Sequence, residues 1–377
     1  MKPKKNRRAS RSHPPARAAA ATVPASVTPP PNEMRKEVIL SRPTRPLQID
    51  ERKNVSALLE KMQGISFQGR NLASAYQVWR KMLQEPMMIM MGMSGAMIPA
   101  GMRELVVYMI RNRLIDCLVS TGANFFHDFH ESLGRHHYQC SPDVDDVQLQ
   151  INMVDRMYDT LADEEEFRQE DTWLGRFAAS LDNSRPYTTR EFLYLLGKET
   201  SKIAKTDGIV TAAAKAGIPL FCPAIGDSSI GIGIAENRNL GKNNLTFDVI
   251  GDVVESSELA GGAPNSSVIY FGGGTPKNFV QQSDITATFA HEAKGGHKFA
   301  LQVVTDSPQW GGLSGCTFEE AQSWGKIQHD AEMVTVNCDS TIAMPILVTA
   351  LSEDPNLIRR RKKPTFKMGR KLEFRFP

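Results

Sequence analysis

Apolar residues recur at helical spacing from Asn54 to Leu83, where Val55, Leu58, Leu59 and Met62 share one face. A short unbroken apolar run, Met87 to Met91, follows, and then a loop of small residues from Gly92 to Gly101. Met102, Leu105, Val106, Met109 and Ile110 form a second helical face, and Leu114 to Val119 is again strand-like. Strand, glycine loop, helix, strand is a βαβ unit. Its loop falls where open α/β sheets hold cofactor phosphates, although the spacing is not Gly-x-Gly-x-x-Gly. Residues 145 to 181 are predicted helical and strongly charged, and Thr188-Thr189-Arg190-Glu191 starts a further helix as a capping box. Strand-like runs at Ile218 to Cys222, Ser267 to Phe271, Phe299 to Val304 and Met333 to Cys338 each precede small polar residues. Such loops belong at the carboxyl ends of parallel strands, so an α/β fold is expected.

Charge changes the picture at the amino end. All 42 acidic residues lie after Asn32 and seven basic residues before it, so the remaining chain carries 38 Lys and Arg against 42 Asp and Glu. A mildly acidic body suits cationic small molecules better than nucleic acid. Residues 1–33, basic and rich in Ala and Pro, are expected to be a disordered tail; a cleaved transit peptide is the alternative, against which the prolines argue. Residues 34–355 are expected to form one domain, and 356–377, with Arg359 to Lys363, a basic extension without the aromatic interleaving of an RNA-binding segment. Five widely spaced cysteines with no CxxC pair favour reduced thiols in a cytoplasmic protein. The most apolar window, Met87 to Met102, is too short and too interrupted by Gly and Pro to span a membrane.

The candidate chemistry centres on Ser323-Trp324-Gly325-Lys326. A lysine becomes a nucleophile at neutral pH when its ammonium is destabilised, and an apolar wall such as Trp324 would do this by desolvation. Glu320 could hold a cationic substrate nearby. On one ideal helix Glu320 and Lys326 lie about 120° apart, so they converge only if the helix breaks near Gly325 or the substrate lies across its end. A surface lysine ending an amphipathic helix is the competing reading. Four histidines cluster as His127, His130, His136 and His137, with Asp128 and Glu131, but without an established ligand spacing, so no metal is expected. His127 is expected to face substrate, with the others at a surface or subunit contact. His291-Glu292 with His297 fails as a metalloprotease motif, because i, i+6 histidines diverge by about 120° around a helix. No Gly-x-Ser-x-Gly elbow or Walker loop supports a hydrolase or kinase.

Several segments taken together resemble the deoxyhypusine synthase family. They are Val119-Ser120-Thr121, Pro219 to Gly231 with Asp227 and Ser229, Gly272-Gly273-Gly274, Ser314-Gly315, Glu320-Ala321 with Ser323-Trp324-Gly325-Lys326, and Asp339. The resemblance runs from about Met91 to Leu351. It implies a Rossmann-like parallel sheet flanked by helices, a single large NAD-binding domain, and a homotetramer with sites at subunit interfaces. It also implies a transferase in which NAD takes a hydride from spermidine, an aminobutyl fragment passes as an imine to Lys326, and an acceptor amine receives it. Trp324 would line a polyamine channel and Glu320 bind an ammonium, while Thr121, Asp227, Gly272, Gly273, Gly274, Thr305 and Asp339 would contact NAD.

Departures from the family pattern bear on the substrate. The carboxylate-rich Asp-Gly-Ser-Asp-Ser-Gly loop is here Trp310-Gly311-Gly312-Leu313-Ser314-Gly315. Ile232 replaces a polyamine-binding aspartate, Asn278 replaces a histidine beside the substrate, and His127 stands at an acidic position. Each lost charge-assisted contact would cost roughly 1.5 to 3 kcal/mol of binding. Asp306, at a family alanine, supplies one compensating charge. The departures favour the bacterial deoxyhypusine synthase-like branch, similar to homospermidine synthases, with a small amine as acceptor. A protein lysine acceptor is the first alternative, and a catalytically reduced NAD- or polyamine-binding protein is an alternative of another class.

Overall fold

The segment Met-Ile-Met-Met-Gly-Met shows no apolar–polar alternation because it is buried on both faces as strand β1 (Met88–Met93). The computed structural model describes residues 40–291 and 295–377; the tail expected over residues 1–33 and Glu292 of the histidine motif lie outside them. The other strands of the central sheet are β2 (Cys117–Ser120), β3 (Leu220–Phe221), β4 (Ser266–Phe271), β5 (His297–Val304) and β6 (Ile327–Asn337). All are parallel, in the spatial order β6-β5-β4-β1-β2-β3. The chain leaves β1 for β2 on one side and returns to β4 on the other. That reversal creates a crevice between the carboxyl ends of β1 and β4, the arrangement of doubly wound nucleotide-binding folds. Residues Arg45–Pro377 make one compact unit.

Successive strand residues point to opposite faces, and each face has its own core. Ile89, Met91, Leu118, Ile269 and Leu301 pack with Phe125, Phe126 and Phe129 of α3 (Gly122–Ser132), beyond α1 (Phe67–Gln84) and α2 (Arg103–Arg111). Met88, Met90, Cys117, Val268 and Tyr270 pack on the other face with Leu259 and Val280. The latter lies on α9 (Gly274–Ala287). Between α3 and α9, besides a short helix described below, lie α4 (Glu164–Ser180), α5 (Thr189–Thr200), α6 (Ile209–Ala216), α7 (Ser229–Asn239) and α8 (Val249–Gly262). Gly92 is fixed by this layering: a Cβ there would lie 2.9 Å from the Tyr270 ring and 3.2 Å from the Pro276 carbonyl.

Two expectations are corrected. Residues 145 to 181 are not one helical stretch. A short helix (Asp146–Ile151) is followed by antiparallel strands Val154–Met157 and Thr160–Asp163 before α4 begins. Met153 and Tyr158 take positive φ at the turns, and Asp145 and Asp163 each cap a new helix, signals that charge periodicity hid. Residues 356–377, expected as an extension, include an antiparallel hairpin of Thr365–Met368 and Leu372–Arg375 packed on the sheet domain. Arg190, buried, pairs with Glu255 at 2.6 Å and donates to the Gly369 carbonyl at 2.7 Å. Ahead of the hairpin Arg361 meets Asp116; both side chains are fully buried, and Asp116 Oδ2 also accepts from the Ile89 amide at 3.0 Å. Among the described residues no helix is long and apolar enough to cross a membrane.

Asp116 is shared between Arg361 and Arg113, which approaches Oδ1 at 2.9 Å, so losing Arg361 removes one of two charged contacts and leaves the carboxylate a partner. Arg361→Ala should therefore lower unfolding free energy by about 1.5 to 3 kcal/mol, measured as a fall in the urea midpoint at pH 7.5. An unchanged midpoint would mean that Arg361 does not tie the chain ahead of the hairpin to β1 and β2.

Candidate active site

The residues carried over as cofactor contacts lie along the carboxyl edge of the sheet. Thr121 follows β2 and caps α3, its hydroxyl accepting from the Asn124 amide at 3.4 Å. Asp227 is exposed in the loop after β3. Its neighbour Ser228 packs so tightly on Gly122 that a Cβ there would sit 2.2 Å from the Ser228 Oγ. Gly272, Gly273 and Gly274 follow β4, and the exposed Thr305 and Asp306 follow β5. Asp339 follows β6 and caps α11 (Ser340–Ser352), accepting from the Thr341 amide at 2.7 Å. The tertiary fold thus gathers these seven contacts on one edge from five strand ends.

The glycine loop is less open than its sequence suggests. Ser94, after β1, accepts from the Gly273 amide at 2.8 Å, and Ser314 accepts from the Gly274 amide at 3.0 Å. Within this chain those two amides, which a helix N-terminus would offer to a phosphate, are bonded to serines. Gly272 takes φ 76°, and a Cβ on Gly273 would lie 2.4 Å from the Ser314 Cα. Close approach of three loops explains the glycines here.

Lys326 sits on the face of α9. The short helix α10 (Phe318–Ser323) is closed by a capping box: the Thr317 amide donates to Glu320 Oε2 at 2.7 Å, and the Glu320 amide to Thr317 Oγ1 at 3.1 Å. The helix stops before Gly325, which takes φ 73°, the break needed to turn Lys326 out of the helical path. Between β5 and β6 the register slips, five residues of β6 running beside two of β5, from His297–Ile327 to Phe299–Glu332. The half-buried Lys326 brings Nζ to 3.4 Å from Asn278 Oδ1 in α9 and 5.5 Å from the Trp324 ring centroid. Trp324 is 70% exposed. The enclosing apolar wall expected around Lys326 is therefore one-sided in the single chain, and Glu320 spends one oxygen on its own helix cap. Asp306 lines a separate 230 Å³ cavity with Gln302, Cys316, Glu319 and Asn337.

The lysine that is desolvated is Lys277. Its side chain is buried, with Nζ donating to Gln302 Oε1 at 2.8 Å and to the Cys316 carbonyl at 2.5 Å, and lying 6.0 and 5.8 Å from the ring centroids of Tyr270 and Phe318. Gln302 Nε2 in turn donates to the Gly272 and Ser314 carbonyls at 3.0 and 2.9 Å. Burial, opposed by Cys316 and Glu320 and reinforced by the Lys326 ammonium, lowers Lys277 to about 8. Sequence reasoning passed over this residue. The available signal was a lone lysine three positions past a glycine triplet, between Pro276 and Phe279.

His127 lies on α3, on the opposite face of the sheet from α9. Its Nδ1 is 3.0 Å from His137 Nε2, and His137 Nδ1 is 2.8 Å from Glu131 Oε1. Burial, then the charges of His137 and His130, push His127 down to about 3. The expectation that the other histidines lie at a surface or subunit contact is corrected for two of them, which are buried within their own chain. His130 is fully buried against Glu170 at 2.9 Å, and the His137 side chain is 4% exposed; only His136 is outside. Phe167 of α4 packs edge-on against His127 and His130, and the His137 ring lies against those two imidazoles.

The deoxyhypusine synthase family profile matches residues 57–351. The chain is 47% identical over 329 residues to a probable deoxyhypusine synthase 2 of Methanosarcina acetivorans, covering 87% of this chain and 94% of that protein. It is 35% identical over 297 residues to a deoxyhypusine synthase-like protein of Coxiella burnetii, covering 78% and 84%. The fold matches the crystal structure of a candidate deoxyhypusine synthase from Entamoeba histolytica with TM-score 0.56 at 19% identity, covering 81% of this chain and 96% of that one. An α/β fold with a crevice at its strand reversal and a lysine beside it thus has a definite kinship. The chain belongs to the deoxyhypusine synthase family, whose members are aminobutyl transferases.

Lys277 also makes a pH-dependent contribution to stability. Between pH 8 and its ordinary 10.5 the unfolded chain holds a proton that the folded chain has released, so stability rises with pH in that window. Wild type should gain on Lys277→Met by about 3 kcal/mol between pH 7.5 and 10.5, as read from urea midpoints of both proteins. A constant difference would place Lys277 in ordinary solvent.

Proposed function

We propose that this chain is an NAD-dependent transferase that moves an aminobutyl group from a polyamine such as spermidine to a small amine, through an imine on Lys326. The observation that carries this reading is the placing of Lys326 Nζ against Asn278, one turn into the helix whose glycine start borders the strand-reversal crevice. NAD, when bound there, would accept a hydride from the amine carbon and later return it. Thr121, Asp227, Gly272, Gly273, Gly274, Thr305 and Asp339 would hold it. Lys326 would form a carbon–nitrogen double bond to the fragment, displace the remainder of the donor, and be displaced by the acceptor amine.

A small acceptor is supported by the exposed apolar surface where the family pattern has carboxylates: Trp310 is 79%, Leu313 49% and Ile232 57% exposed. In three archaea the protein numbered 2 resembles this chain more than the one numbered 1, at 47 against 36%, 46 against 36% and 45 against 39%. A second paralogue is free to serve another acceptor. The same exposed residues support a homotetramer with sites between subunits, because Lys326 and His127 lie on opposite faces of one sheet and a second copy would bring the two faces together. Five free thiols support a cytoplasmic location.

The test is to incubate the protein with NAD and putrescine, spermidine, homospermidine or agmatine, reduce with borohydride, and weigh the Lys326 peptide. An aminobutyl adduct absent from Lys326→Ala is expected, with a free polyamine as product when putrescine is the acceptor. Transfer only to a protein lysine would favour the synthase reaction proper. NAD binding without an adduct would leave a sensor.

A further inference from the structure

The Glu131, His137, His127 series is not part of the lysine chemistry, and its geometry is directional. An ionised carboxylate only accepts hydrogen bonds, so the 2.8 Å contact to Glu131 places a proton on His137 Nδ1 and leaves Nε2 to accept. The 3.0 Å contact from that Nε2 then takes the Nδ1 proton of His127, leaving His127 Nε2 as an acceptor. His130 is engaged elsewhere, with Glu170 at 2.9 Å and the His136 carbonyl at 3.3 Å. Position gives the series two ends. Ala123, His127 and Glu131 follow one another at i, i+4 and i+8 along α3, whose first turn is the Thr121 cap at the sheet's carboxyl edge. Glu131 and His137 line an 850 Å³ polar cavity with Arg103, Tyr138 and Thr341.

We propose that Glu131, His137 and His127 form a proton relay that takes the proton from the donor amine before its carbon is oxidised. The proposal rests on the transferase reading above. A donor nitrogen is an ammonium at neutral pH, and hydride cannot leave its carbon while the nitrogen lone pair carries a proton. Asn278 next to Lys326 has an amide, which cannot accept that proton. Because His127 and Lys326 lie on opposite faces of one chain, the relay serves the Lys326 site of a second copy, as in the homotetramer of that reading: there the amine N–H bond breaks toward His127 Nε2, the His127 Nδ1 proton passes to His137 Nε2, and the His137 Nδ1 proton passes to the Glu131 carboxylate. One proton has moved and one carboxylate is neutralised; the oxidant is the NAD of the transferase reading. Burial among Phe126, Phe167 and two imidazoles denies His127 a resting charge, so a proton arriving at one nitrogen leaves by the other. From Glu131, whose side chain is 23% exposed, the proton reaches water in the cavity. The other charges facing the relay are Arg103 of α2, with Nε 3.8 Å from Glu131 Oε2, and Glu166 of α4, 3.9 Å from His130 Nε2; Arg135 binds Glu170 at 2.6 Å.

His127 would touch substrate; His137 and Glu131 act through it and are positioning residues. The experiment is single-turnover oxidation of spermidine by the full-length protein with NAD, followed by nicotinamide absorbance from pH 6.5 to 9.5 in H2O and D2O. Glu131→Gln and His137→Phe should each slow oxidation about 100-fold at pH 7. The rate should climb about tenfold per pH unit as free amine becomes available, while spermidine affinity changes less than threefold. His136→Ala, on the exposed neighbour, should match wild type. Glu131→Gln keeps the shape of the side chain and guards against loss of folding in His137→Phe. If both variants oxidise spermidine with the wild-type rate and pH profile, the relay is overturned and the cluster is packing. A wild type that oxidises no amine overturns the transferase reading and the relay with it.

Discussion

The pairing of β1 with β4 is the constraint on which the site depends. Met88 to Met93 runs beside Ser266 to Phe271, and because the chain has already gone the other way to β2, the loops leaving β1 and β4 diverge to opposite faces. A gap between them is unavoidable. What fills its rim is set by small residues: Gly92 lets α9 lie on the sheet, and Ser94 ties the Gly273 amide to the β1 loop. A side chain at Gly92 or Gly273 would meet backbone within about van der Waals contact and push the rim apart.

Buried charge does the rest of the positioning. Lys277 has no carboxylate partner at hydrogen-bond distance among the described residues; it is held by carbonyl and amide oxygens, which join α9 to the 314–316 loop and, through Gln302, to Gly272. Asp128 on α3 is used differently: it accepts from Arg103 at 3.0 Å and from the Ile209 and Val210 amides at 2.7 and 3.0 Å, fixing α3 to α2 and α6. Each network is satisfied, and each would be costly if half-broken. The rigidity of two helices that carry candidate chemistry, α3 and α9, thus comes from polar groups inside an otherwise apolar core.

The two helices stand on opposite faces, which divides the chemistry. Lys326, Asn278 and Trp324 belong to the α9 face, and the histidine series to the α3 face. The one-sided cover of Lys326 by an exposed indole follows from the same division. Lys326, the nucleophile of the transferase reading, is left partly open to water by its own chain.

The sequence alone determined the fold class and the identity of the candidate residues. Unbroken apolar runs followed by small polar loops mark parallel strands, because such strands are buried on both faces and their loops are not. Lys326 stood out beside Trp324, while Asp227, the glycine triplet and Asp339 were picked out by their resemblance to the segments of the deoxyhypusine synthase family. The helix break at Lys326 was also legible, since Gly325 is a local signal. What only the tertiary structure decided is which charges are buried and which faces they share. Whether Lys277 or Lys326 loses water depends on residues 25 to 40 positions away, Gln302, Ser314 and Cys316. Likewise, the ordering of Glu131, His137 and His127 depends on Phe167 of α4 closing over α3. Burial is a property of elements packed together, and local spacing carries no record of it.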